Sequence, residues 1–464
     1  MLFNSAAFLV FLPVVLLMYV SAPVRLRHWL LLAASYFFYM WWRPEYILVI
    51  IAMTLVDFGA GILMERARSA REKRAWLALS LTIDLGMLFY FKYALFSAEV
   101  ANDVLRLFDA SWRFNPGAIL LPIGISFHTF QSLSYVFDVY FGRVKAERDL
   151  GFFALYIAYF PQLMAGPIER KSDLLPQLRT SGAANAEDIR YGINKILLGF
   201  LKKVVVADSL APYVDKFYET PGAWDGTAHL FAIFLFGMQI FCDFSGYSDI
   251  ALGAARLMGV RLTENFNRPF LAKSINEYWQ RWHITLGTWV RDYMFLPLMY
   301  AHPGRFAINV LLVFLAIGLW HGASWNFLLY GLVHGLATLA QHVYGRIAWL
   351  PRLESLPGRA LRWGTTMAIL LASGVFFRAT STEDALMILG KMAAMRSLDT
   401  GAILSVMSKP QLGEVGLVLL LLAGTAWFKP ALKFRYNWVY VTGMLVVIMV
   451  LGKASADHFI YFQF

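Results

Sequence analysis

Apolar runs of membrane-spanning length, separated by connectors rich in arginine and lysine, recur along the chain. This pattern predicts a bundle of transmembrane helices. Residues 6–20 read as a first helix retained in the chain, because Met1 to Asn4 lack the basic segment that opens a signal peptide. A helical pair is predicted over 28–64, then single helices over about 75–96 and 120–140. Later helices are expected over about 308–343, 363–377, 415–428 and 438–451. The connectors set the orientation. Arg25, Arg27 and His28, then the run 66–74, then Arg143, Lys145 and Arg148 fall on one side under the positive-inside rule, and the more polar stretch 97–117 falls on the other. The N-terminus is therefore expected outside. Lys429, Lys433 and Arg435, just before the last run, place the tail 453–464 outside too.

Two stretches break the pattern. Residues 160–167 put Pro161, Gly166 and Pro167 inside an apolar run. Residues 263–293 are rich in Asn, Arg, Trp and Glu yet lie between apolar runs. Non-helical backbone survives at membrane depth only when buried in protein or lining a cavity, so both read as re-entrant or interfacial segments of a funnel.

Composition extends this picture to the whole chain. Of 464 residues, 59% are hydrophobic and only 15% charged, against about 25% charged in soluble domains. The length accommodates roughly ten to twelve spans. No repeat or linker divides it, so the expectation is all-α, one polytopic membrane domain over 1–464. The net charge of +11 reflects the cytoplasmic connectors and forms no basic stripe, which argues against a nucleic-acid partner. One cysteine, Cys242, excludes an internal disulfide and a cysteine metal cluster.

Against this background the ionisable residues stand out, since such residues at membrane depth are costly and mark functional sites. His321, in Gly318-Leu319-Trp320-His321-Gly322, is the leading candidate for a general base, with Gly318 and Gly322 allowing close approach of backbone or substrate. His283, in Trp279-Gln280-Arg281-Trp282-His283, is the second; it serves either the site or a structural hydrogen bond. Arg281 either meets the phosphates of an anionic cofactor or pairs with Glu277 at i,i+4. Asp243 and Asp249 read as helix caps or partners of Arg256 more readily than as histidine orienters. His334 reads as a packing histidine. No His-x-x-x-His or His-Glu-x-x-His pattern occurs, so no metal is expected, and no phosphate loop or Gly-x-Ser-x-Gly elbow appears. The ending Phe459-Ile460-Tyr461-Phe462-Gln463-Phe464 is too aromatic for a water-exposed tail; it inserts into the protein, docks on a partner or anchors at the interface.

The two histidine segments resemble the membrane-bound O-acyltransferase family. Pro122 to Phe127, Ala165-Gly166-Pro167-Ile168, Asp243 to Asp249 and Glu264-Asn265-Phe266 are similar to its bacterial branch. That branch holds the membrane subunits of alginate, peptidoglycan and cellulose O-acetylation, and the D-alanyl transfer protein of teichoic acids. The resemblance runs from Leu2-Phe3-Asn4-Ser5 to the last residue. It implies a helical bundle around a central tunnel, His321 as the essential catalytic histidine and His283 as the second histidine of the site. It implies acetyl-CoA as a cytosolic donor, with Arg281, Trp282 and Trp320 as the candidate donor-binding residues. It further implies a location in the bacterial inner membrane, both termini periplasmic, and a periplasmic SGNH-like partner that passes acetyl to a cell-surface polysaccharide. By analogy with a similar ending in the D-alanyl system, Tyr461 is a transient acyl carrier. The segment 165–170 leans toward peptidoglycan-type or general exopolysaccharide members over alginate. The rival reading is a solute or lipid transporter, which broken helices and buried charges also suit; a non-catalytic scaffold is a third.

Overall fold

The computed structural model describes residues 1–109, 112–164, 166–180, 182, 184–346, 355–425, 434–453 and 460. Among them the regular elements are all helical. The chain forms two compact units: Met1–Gly192 with Ala251–Thr263, and Ile193–Ile250 with Glu264–Phe464.

The first unit opens with α1 (Ala6–Ser21), capped by the Ser5 hydroxyl, which accepts from the Phe8 amide. α2 (Val24–Met40), α3 (Ile47–Arg66) and α4 (Ala70–Leu88) follow, close to the predicted runs. The helix expected to end near Phe96 continues instead, through a π segment at Phe89–Tyr93, into α5 (Ala94–Leu107). Polar residues of 97–107 thus lie on an amphipathic helix, and residues 112–117 of the expected outer stretch are non-helical. α6 (Ile125–Tyr140) begins five residues later than predicted, after Gly124 at φ 75°. α7 (Leu150–Ala158) and the short α8 (Phe160–Leu163) form the first broken stretch. Its buried backbone finds partners: the Phe160 amide donates to Ser35 Oγ at 3.0 Å, and Gln162 Nε2 to the Tyr156 carbonyl at 2.8 Å. α9 (Lys171–Thr180) follows, and α10 (Ala186–Phe200) and α12 (Gly226–Leu257) supply residues to both units, with α11 (Asp208–Glu219) between them.

In the second unit the other broken stretch is short-helical, as expected: α13 (Ile275–Trp279), α14 (Ile284–Val290), a π segment at Arg291–Phe295 and α15 (Leu296–Ala301). The single run predicted over 308–343 is two helices, α16 (Phe306–His321) and α17 (Trp325–Arg346), broken after His321. The remaining helices are α18 (Leu356–Arg378), α19 (Thr382–Ala393), α20 (Gly401–Val406), α21 (Lys409–Thr425) and α22 (Phe434–Leu451). Among the described residues, five helical stretches are long and apolar enough to cross a membrane: Pro44–Arg66, Ala70–Leu107, Gly226–Leu257, Pro303–His321 and Leu356–Arg378. The chain is a multi-pass membrane protein. The basic residues Lys429 and Lys433, used above for orientation, lie outside the described residues, as does the Arg435 side chain.

Candidate functional site

His283 ends the irregular approach to α14. Ser274 caps α13 by accepting from the Glu277 amide at 3.1 Å, and Glu277 accepts from the amide of Lys273, one residue before the cap, at 2.8 Å. The backbone then turns sharply, leaving His283 at φ 44°, ψ 56°, a left-handed conformation that costs a non-glycine residue on the order of 1 kcal/mol or more. His283 is fully buried. Its Nδ1 lies 3.2 Å from Asn265 Oδ1 and 3.4 Å from the Leu286 amide, which it caps. Asn265 Oδ1 also accepts from the Thr285 amide and hydroxyl, at 3.2 and 3.0 Å. Nδ1 serves one of these partners at a time: unprotonated it accepts from the Leu286 amide, and protonated it donates to this pinned oxygen with the ring lone pair at Nε2. The 264–266 motif had been read as a family signature; its asparagine is the residue that orients His283.

His321 closes α16. α16 and α17 pack closely enough that a Cβ at Gly318 would stand 2.1 Å from the Phe327 carbonyl oxygen, and one at Gly322 2.0 Å from the Phe327 ring. Of the two expected uses, backbone or substrate, Gly318 serves the close approach of the neighbouring helix's backbone, and Gly322 makes room for the Phe327 ring. His321 is buried, with its ring centroid 5.0 Å from Trp320, 5.5 Å from Tyr330 and 5.1 Å from Phe377. Trp320 also meets His283 edge-on at 5.7 Å. The two predicted histidines therefore flank one indole. Tyr330 in turn lies 4.6 Å from His334. Three imidazoles alternate with two aromatic rings.

The candidate donor-binding residues separate. Trp320 is buried between the histidines. Trp282 is buried and stacks on Tyr278 at 5.7 Å. Arg281 Nη2 binds Glu277 Oε1 at 2.7 Å and Nη1 reaches the Asn267 carbonyl at 3.3 Å. Burial alone would raise the Glu277 carboxyl, but the Lys273 amide and Arg281 outweigh it and hold it below the usual range.

The carboxylates of α12 also find partners, other than the expected Arg256. Asp243, Gly246 and Asp249 repeat every three residues on one helix face. Gly246 and Gly199 of α10 approach so closely that a Cβ on Gly246 would lie 2.8 Å from the Gly199 carbonyl oxygen. This crossing sets two buried charge clusters. Asp249 takes Lys195 at 2.8 Å and Lys202 at 2.6 Å; Asp243 takes Lys203 at 2.6 Å, and Lys203 also binds Asp208 at 2.9 Å. Arg256 pairs instead with Asp188 at 2.6 Å. Asp243 has one further partner: its Oδ2 accepts from the backbone amide of buried Ile460 at 2.7 Å. Tyr461 itself lies outside the described residues. Its immediate neighbour is anchored on α12 at Asp243, next in sequence to Phe244, whose ring meets His283 at 4.8 Å. Among the described residues, no group of His, Cys, Asp and Glu could hold a metal ion.

The family model for membrane-bound O-acyltransferases matches residues 148–376, which include both histidine segments. The probable alginate O-acetylase AlgI of Azotobacter vinelandii is 38% identical over 429 residues, covering 91% of this chain and 83% of the relative. Its counterpart in Pseudomonas aeruginosa is 39% identical, covering 83% of this chain and 73% of the relative. The peptidoglycan O-acetyltransferase of Helicobacter pylori is 30% identical, covering 86% and 81%. The higher identities are to alginate relatives, against the lean read from residues 165–170, a segment too short to carry the acceptor.

Proposed function

Since the chain belongs to the membrane-bound O-acyltransferase family and is an O-acyltransferase of the branch that acetylates bacterial polysaccharides, we propose that it carries acetyl from cytosolic acetyl-CoA across the inner membrane to a periplasmic SGNH-like partner, which acetylates a cell-surface polysaccharide. The observation that carries this reading is that His321 and His283 both contact the Trp320 indole, with Ile460 anchored on the helix that contacts His283.

In this reading the Tyr461 hydroxyl is the first acceptor. A phenol has a pKa near 10 and attacks a thioester poorly without a base. His321 takes the phenolic proton as the oxygen adds to the thioester carbonyl. The carbon–sulfur bond then breaks, and the imidazolium returns the proton to the departing CoA thiolate. His283, fixed by Asn265, supplies a neutral imidazole beside the same indole. The partner would next take acetyl from the tyrosyl ester, leaving the phenol ready for another cycle. Arg281 would meet donor phosphates only by giving up or sharing Glu277.

The test is intact mass after incubation with acetyl-CoA. The parent protein should gain one acetyl group on Tyr461, and Tyr461→Phe should gain none. CoA release without an adduct would replace the tyrosyl relay by direct transfer to the partner. Neither adduct nor CoA release, with the partner present, would overturn the proposal.

A further inference from the structure

The second unit holds a partly open cavity of about 70 Å³ between α12, α17 and α18, bordered by side chains of the irregular stretch. Its wall is mostly apolar and aromatic, with Tyr278, Trp282, Tyr330 and Phe377 contributing rings. Tyr330 and Phe377 are also the rings packed on His321, so the cavity lies one ring away from the leading catalytic candidate. A hole of about 150 Å³ admits benzene. One half that size suits a two-carbon group.

Two residues of the wall are unusual. His334 is buried, yet neither of its ring nitrogens has a hydrogen-bond partner among the described residues. Leaving a buried polar group without a partner is costly, and each such group in a folded protein calls for an explanation. In either neutral tautomer the imidazole keeps one N–H to donate. Gly237 also lines the cavity, and a Cβ placed there would meet no atom within 4 Å. The glycine is not demanded by helix packing; it leaves space.

We propose that this cavity seats the acyl group, that His334 donates a hydrogen bond to the acyl carbonyl oxygen, and that the space left at Gly237 is part of the room the group fills. The proposal rests on the acyl-transfer reading above. It adds a substrate-touching histidine and a specificity-determining position that the sequence pattern placed in packing.

The test compares acetyl-CoA, propionyl-CoA and butyryl-CoA as donors for the full-length protein with its partner. A methylene that does not fit costs on the order of tenfold or more in kcat/KM. The parent should prefer acetyl by that factor or more. Leu371→Ala, which enlarges the wall, should raise the butyryl-to-acetyl ratio about tenfold. Gly237→Val should depress acetyl use and propionyl use still further. These ratios are taken within one preparation and do not depend on the fraction folded. His334→Leu should slow all three donors, and His334→Gln, which keeps a donor, should recover part of the loss. Unchanged ratios in both Leu371→Ala and Gly237→Val would overturn the seat. Equal loss in His334→Leu and His334→Gln would overturn the hydrogen bond. A parent that releases CoA from none of the donors would overturn the acyl-CoA reading itself, and the seat with it.

Discussion

The second unit buries two polar systems built on opposite principles. Along α12 every carboxylate meets a lysine: Asp249 with Lys195 and Lys202, Asp243 with Lys203. Around α16 and α17 the polar groups are imidazoles set between rings, Trp320 and Tyr330, with Asn265 orienting His283. The difference follows from chemistry. A buried carboxylate or ammonium must be paired because its desolvation cost is several kcal/mol. An imidazole can be buried neutral and so can be held in an aromatic wall, ready to take a proton when a substrate arrives. The paired network shapes the fold, and in the acyl-transfer reading proposed above the ring-walled histidines serve the reaction.

This contrast is breakable at each member, and the largest effect is expected at His321. His321→Ala should lower acetyl transfer by about a hundredfold or more, measured as CoA release, while the detergent melting profile stays near that of the parent. A melting collapse in His321→Ala would mean that the histidine belongs with the structural set. Lys203→Met should do the reverse. It strands Asp208 and Asp243, and removing one member of a buried pair costs about 3–5 kcal/mol. The melting temperature should fall sharply, and adding Asp243→Asn with Asp208→Asn should recover part of the fall.

The first unit offers a third arrangement that sharpens the comparison. Glu169 is buried outside the candidate spans. Among the described residues it has no lysine partner; the Thr263 amide and hydroxyl donate to it, while burial pushes its carboxyl up to about 7. A carboxyl raised in the folded state keeps its proton there after the unfolded chain has lost it. Stability should therefore be greatest below pH 4.5 as far as this group is concerned, and should decline as pH rises toward 7. Glu169→Gln should flatten that part of a melting-versus-pH curve; an unchanged slope would assign the dependence elsewhere.

Smaller effects are expected at the supports. Asn265→Ala removes the oxygen facing His283 Nδ1 and should cost about tenfold in activity, in line with one lost hydrogen bond of about 1–3 kcal/mol. A pH–rate profile should shift with it, which a purely structural asparagine would not do. Arg281→Gln breaks a partly exposed i,i+4 pair worth less than about 1 kcal/mol. If Arg281 meets donor phosphates, KM for acetyl-CoA rises while melting barely changes; if it only pairs with Glu277, neither moves.

Much of this was legible in the sequence because the bilayer imposes strong rules. Low charge density, run length and basic connectors predict the helical membrane class, and the cost of intramembrane ionisation singles out His283 and His321. What pattern alone missed is three-dimensional pairing. Asp243 and Asp249 were matched to Arg256, seven residues beyond Asp249, but the Gly199–Gly246 crossing brings lysines of another helix instead. Asn265 lies 18 residues from His283 and carries no periodic signal. His334 looks like a packing residue until its neighbours are seen to leave a cavity. The break after His321 was hidden because an apolar run looks the same whether it is one helix or a tight hairpin.

The Ile460–Asp243 hydrogen bond joins positions 217 residues apart. The α16–α17 hairpin, by contrast, needs only a three-residue turn and pairs as soon as its two helices are made. In a chain produced from one end at about 5–20 residues per second, the hairpin bearing His321 has existed for several seconds before Ile460 emerges. The hairpin is thus in place before the Ile460 amide reaches Asp243, and a chain stalled between the two carries both histidines without that contact.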